Sequence, residues 1–164
     1  VFVQDDDDAW KIDWQNLVRH SEEPWSLFLS GSGPSVGEFR LLARKRASAT
    51  GGEGDVSRLM FLEPRPWEPG KVGLSSPEIR IDPGSEVGLQ LKSAFAMRKG
   101  GEGAFGTRLS DKDPKGMIRV RVVLRRSDEK DEHGEWQFTV ERLLACHWMQ
   151  FDELGLPEDE WLED

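Results

Sequence analysis

The sequence predicts a mainly β protein: an antiparallel sandwich or barrel of about seven or eight strands with one short N-terminal helix. Three observations carry this expectation. β-Branched and aromatic residues alternate with polar ones in several short runs, the two-residue period of a half-buried strand. Gly-, Pro- and Ser-rich turns separate those runs. The runs share a period but no repeated residues, so the chain holds no internal repeat.

The clearest run spans 115–151. Ile118, Val120, Val122 and Leu124 fall on one face, with Arg119, Arg121 and Arg125 on the other. Further on, Trp136, Phe138 and Val140 alternate with Gln137, Thr139 and Glu141. The insert from Ser127 to Gly134 is polar and ends in Gly, which suits an antiparallel hairpin.

From the start, Val1 to Asp8 reads as a solvated acidic segment. The next stretch has two readings. A helix would put Trp10, Trp14, Leu17 and Val18 on one face, with Asp8 as N-cap and the aspartates at the positive end of the dipole. A strand would alternate Trp10, Ile12 and Trp14. The helix is preferred. Trp25 to Leu29 and Glu38 to Lys45 are expected as strands around a Gly-Ser-Pro loop. Ala47 to Asp55 forms a second loop, and Arg58 to Glu63 a short apolar strand. Pro64, Pro66 and Pro69 then block any ladder, because they lack the donor. Glu78 to Asp82 reads as a brief strand closed by Pro83 and Gly84. Val87, Leu89, Leu91, Phe95 and Met97 occupy odd positions, with Gln90, Lys92, Ala94, Ala96 and Arg98 on even ones, so this segment too is expected as a strand. The expected organisation is an acidic segment over 1–8, one β-rich domain over 9–151 and an acidic tail over 152–164.

A chain of 164 residues suits one domain. Seven Trp and eight Phe supply a large core despite 32% charged residues, which argues against disorder in the middle of the chain. The net charge of −9 disfavours general nucleic-acid binding and anionic membranes and suits docking on basic surfaces. No apolar run approaches the ~18 residues of a membrane span. The single cysteine, Cys146, excludes an internal disulfide. The start at Val1 fits a processed or trimmed chain. The expected location is the soluble interior of the cell, or an organelle after removal of a transit peptide.

Each chemical motif meets a counter-argument. Gly101 to Gly106 matches G-x-G-x-x-G, but the residues after it, up to Pro114, cannot open a helix for a pyrophosphate. Asp111 to Gly116 begins like a calcium loop, yet Lys115 and Val122 stand where oxygen ligands belong. Cys146, His20, His133 and His147 lack the spacing of a zinc site. Cys146 lies in an apolar run and reads as a buried structural thiol. No serine sits in a nucleophile elbow, and no carboxylate stands in an apolar setting, Asp13 coming nearest. Pro66 to Pro69 reads as a rigid crossover with Trp67 packed on its own domain, ahead of a polyproline ligand.

Arg40, Arg44, Lys45 and Arg46 form one basic cluster, and Arg119, Arg121, Arg125 and Arg126 another. The first reading is a solvated strand face balanced by acids such as Glu141. The alternative is a docking face. With catalytic constellations set aside, the sequence points to a non-catalytic interaction or structural module, an accessory subunit of a larger protein assembly. It needs no cofactor or metal and binds other protein subunits, not nucleic acid. Trp161, Trp67 and Trp10 are the candidate aromatic anchors, with Arg44, Arg46, Arg119 and Arg121 as charged contacts. The second reading is a β-barrel or sandwich that binds a small molecule or carbohydrate.

Overall fold

The computed structural model describes residues 2–4, 10–12, 21, 23–46, 55–65, 71–99, 114, 116–148 and 155–157. The centre is one open antiparallel sheet. Its six-strand path runs β5 (Val72–Ser75), β4 (Arg58–Pro64), β3 (Val36–Lys45), β7 (Met117–Arg126), β8 (Phe138–Cys146) and β9 (Leu156–Pro157). The two-residue β6 (Ile79–Arg80) pairs with β4 beyond β5. β1 (Phe2–Gln4) and β2 (Trp10–Ile12) form a separate two-stranded sheet. Two helices, α1 (Trp25–Ser30) and α2 (Glu86–Lys99), complete the fold. The described residues are thus mainly β, as expected, but form one open sheet with a six-strand path and two helices, where a sandwich or barrel of seven or eight strands was expected.

The predicted hairpin is the spine. Ile118, Val120, Val122 and Leu124 are buried, with Phe39, Leu41 and Ala43 beside them on β3. Two bulges in β8, at Glu141 and Leu144, interrupt its register with β7. Each extra residue turns the strand, which is how Val140, Leu143 and Cys146 all come to be buried. At the other edge Ser76 separates β5 from β6. It donates its N–H to the Phe61 carbonyl (2.7 Å), and its hydroxyl accepts the Phe61 N–H (3.0 Å). The following Pro77 has no donor to offer, so the break falls where a ladder cannot continue.

Three local expectations are corrected. Trp25 to Leu29 is helical. Trp25 and Phe28, three apart, bury against Phe39, with ring centroids 5.1 and 4.6 Å away, while Leu27 is 48% exposed. Gly31, at φ +90°, ends the helix in the left-handed conformation, and the Ser32 N–H reaches back to the Leu27 carbonyl at 2.9 Å. Trp10 to Ile12 is a strand paired with Phe2 to Gln4, so the preferred N-terminal helix does not begin at Trp10; Trp14, Leu17 and Val18 lie outside the described residues.

The third correction is α2, which takes up the segment read as alternating from Val87. Val87, Leu91, Ala94 and Phe95 stand at i, i+4, i+7 and i+8 and pack into the core, while Leu89 is 50% exposed. The alternation of odd positions is coincidental, because Ala94 on an even position is fully buried and Leu89 on an odd one faces solvent. The start signal was also present: Ser85 accepts the Gly88 N–H on its hydroxyl (3.1 Å), and Glu86 sits in the first turn. Gly88 itself lets the helix press on the chain below, since a Cβ there would lie 2.2 Å from the Asp82 carbonyl oxygen. No helix among the described residues is long and apolar enough to cross a membrane.

Candidate interaction surfaces

The sheet's two faces differ in kind. Both helices cover the inner one, and its apolar cluster runs from Trp25 to Cys146. The outer face has a small apolar zone of Leu42, Leu62 and Met117, flanked by Met60 and Val72. Beyond it lie Arg40 and Arg44 on β3, Arg119, Arg121 and Arg125 on β7, and Arg142 on β8, at positions that alternate with the buried residues or pair with them across the ladder. Among the described residues, two acids share that area. Glu38 accepts Arg121 Nε, and Glu141 accepts Arg125 Nε. Arg40 stands directly across the ladder from Arg121. Arg119 lies over the fully buried Trp148 ring, its guanidinium carbon 5.0 Å from the centroid.

Arg126 continues the even-numbered series of the inner face and is only 6% exposed. Its Nη1 donates to the Phe28 carbonyl (2.8 Å) and the Ser32 carbonyl (3.4 Å), and its Nη2 to the Gly33 carbonyl (3.1 Å). These carbonyls belong to the C-terminal end of α1 and the turn after it, where a cation meets the negative end of the helix dipole. The guanidinium lies between the rings of Phe28 and Trp136, at 5.4 and 5.2 Å. Trp136 also lies against Gly31, where a Cβ would come within 2.5 Å of the indole. One buried cation therefore ties α1 to the base of the hairpin.

Asp131 organises the hairpin loop. Its Oδ1 accepts the N–H groups of His133 and Glu135, both at 2.9 Å, and its Oδ2 accepts the Gln137 amide at 2.6 Å. The Glu135 N–H, with help from the other two donors, holds the carboxyl below its ordinary range. Gly134, at φ +77°, supplies the turn. Next to this loop lies an open groove of about 940 Å³, walled by Pro77, Glu78 and Arg80 on one side and by Trp136, Gln137, Phe138 and Thr139 on the other.

The single cysteine is closed off. Cys146 is fully buried, and burial pushes its thiol far above the usual range. His147 leaves the strand with φ +57°, and its Nε2 lies 3.0 Å from the Ala94 carbonyl of α2. A carbonyl only accepts, so this nitrogen carries the proton. Among the described residues no group of three His, Cys, Asp or Glu is placed to hold a metal ion.

The structure brings Arg44, Arg119 and Arg121 onto one face, with Arg46 exposed just past the end of β3. Trp10 lies in β2. Trp67, Trp161, His20, Gly101 to Gly106, Asp111 to Asp113 and Pro66 to Pro69 lie outside the described residues. The sequence places Arg126 with the solvated basic cluster, which its burial corrects, and Asp131 and the groove carry no signal in it. Parity alone could have found the first, since Arg126 falls in step with Ile118 to Leu124. Comparison with protein-family models, with curated proteins and with solved structures gives no match.

Proposed function

We propose that this chain is a non-catalytic interaction module, an accessory part of a larger protein assembly, that docks the outer face of β3, β7 and β8 on an acidic partner surface. The observation that carries the reading is charge segregation. Six arginines (Arg40, Arg44, Arg119, Arg121, Arg125 and Arg142) share that area with Glu38 and Glu141, in a chain of net charge −9. Such a patch steers an acidic partner and fixes its orientation. The shielded thiol of Cys146 and the engaged ring of His147 fit a surface that binds without chemistry.

The test is titration of labelled poly-L-glutamate against the wild-type chain and the double variant R44Q/R142Q. Binding is expected to weaken about tenfold in the variant, or about 1.4 kcal/mol, and to fall steeply with added salt. Equal binding by both proteins overturns the reading. Tighter binding of single-stranded RNA than of poly-L-glutamate overturns the assignment of a protein partner.

A further inference from the structure

The groove beside the hairpin lies where the curled sheet fails to close on itself. β6, β4, β3, β7 and β8 follow one another, each antiparallel to the next. Four reversals leave the end strands β6 and β8 running in the same direction. They approach within 8 Å at Cα, with no ladder between them among the described residues. Among the described residues, β9 pairs with β8 at Ala145 and Cys146.

Peptide orientation along both edges follows from printed partners. The Arg126 N–H donates to Ser35 on the β3 side, and the Ser127 N–H to Gln137 on the β8 side. Arg125 and Thr139 therefore exchange the ladder bonds, and the peptide groups of Phe138 and Val140 point away from β7, toward the seam. On the opposite edge the Ile81 N–H donates to Ser57 and the Arg58 carbonyl accepts from Arg46, so the peptide groups of Arg80 point away from β4. Two strand edges thus present donors and acceptors to one gap.

We propose that this seam is a strand-addition site for an extended segment of a protein partner, running antiparallel to both β6 and β8 and closing the sheet into a barrel. A strand between two others spans about 9.5 Å, two ladder spacings. The seam, at most 8 Å wide at its closest Cα pairs, must widen to admit it, and β6, held to β4 by two residue pairs, is the side that moves. The chemistry of the segment is set by what flanks it. Its inward positions meet Ile79, Phe138 and Val140 and are apolar. Its outward positions pass Glu78, Glu132 and Glu135, against Arg80 as the one arginine of the lining, and are basic. Main-chain bonds supply affinity and the alternating side chains supply specificity. The site is separate from the arginine face, and neither proposal depends on the other.

The probe is a synthetic peptide of about seven residues that alternates Val or Ile with Lys, offered to the full chain. Amide exchange at Phe138, Val140 and Arg80 is expected to slow about tenfold on binding. The same peptide N-methylated at alternate residues keeps its side chains but loses its donors, and is expected to give no protection. A peptide with Glu in place of Lys is expected to bind at least tenfold more weakly. Absence of protection at all three amides overturns the proposal, and so does equal binding of the N-methylated peptide. R80P removes one seam donor at an exposed edge that tolerates proline, and is expected to weaken the peptide. Unchanged affinity in R80P removes β6 from the site and overturns closure of the barrel.

Discussion

Arg125 and Arg126 end the same strand side by side, yet different physics holds them. Arg125 projects to the outer face, where its side chain is 52% exposed and paired with Glu141. Arg126 projects inward, is 6% exposed, and bonds to backbone carbonyls between two aromatic rings. In water a visible ion pair gains little, because solvent screens it and side-chain entropy opposes it. Inside, each charge-assisted bond counts for more, and removal takes this donor from the Ser32 and Gly33 carbonyls and leaves the Phe28 carbonyl the longer Gly31 N–H at 3.3 Å. The ion pair that is easier to see is therefore the less important contact. Architecture follows the buried arginine, while Arg125 stays in water beside Glu141.

The largest effect expected from this contrast is R126A. Losing the bonds to Phe28, Ser32 and Gly33, and the filling between Phe28 and Trp136, costs about 3–4 kcal/mol, or roughly 10 °C in melting temperature for a domain of this size. R126M refills the space without restoring the bonds and is expected to cost about 2 kcal/mol. Thermal melts of both variants check this. If R126A costs no more than R125A, the buried arginine is not the strut described here.

The same pair shows how far the sequence could be read. A two-residue period reports which face a strand residue occupies, and from Ile118 to Leu124 it read the hairpin correctly. Carried one step further the period places Arg126 inside, against the exposure that its charge suggests. The period fails where a helix contains alternating apolar residues by coincidence. From Val87 to Met97 the odd-position residues include a helical i, i+4, i+8 set (Val87, Leu91 and Phe95), and the Ser85 cap together with the burial of Ala94 decides for the helix. The seam lay further out of reach. It depends on the direction of peptide groups at two edges far apart in sequence, and no local pattern encodes that.

Gly31 offers an intermediate test of the α1 anchorage. G31A must hold φ near +90° with a Cβ pressed into the Trp136 indole, and is expected to cost about 1–3 kcal/mol. The near-UV dichroism of Trp136 should shift with it. S85A, at the N-cap of α2, is expected to cost about 1 kcal/mol without disturbing that signal, which separates the two helices.

Acid provides a local probe of the hairpin. The Asp131 carboxyl is held below its ordinary value of 3.8, chiefly by the Glu135 N–H. A depressed folded pKa means that the contribution is complete above the unfolded value and is lost as pH falls through the folded one. The His133 and Glu135 amide resonances should therefore stay constant down to about pH 4 and move below it. In D131N they should not follow pH in that range. An identical acid transition in D131N would assign the change to another group.

The smallest effect belongs to the outer partner of the opening contrast. R125A, E141A and the double variant form a cycle whose coupling is expected to be a few tenths of a kcal/mol and to shrink further in salt. The reason is geometric as much as dielectric: Glu141 is the bulged residue of β8, outside the regular ladder, and water reaches both side chains. A coupling near that of a buried pair would mean that the outer face is desolvated in the free chain. Arg125 would then belong to the architecture with Arg126, and the arginine face would have less charge to offer a partner.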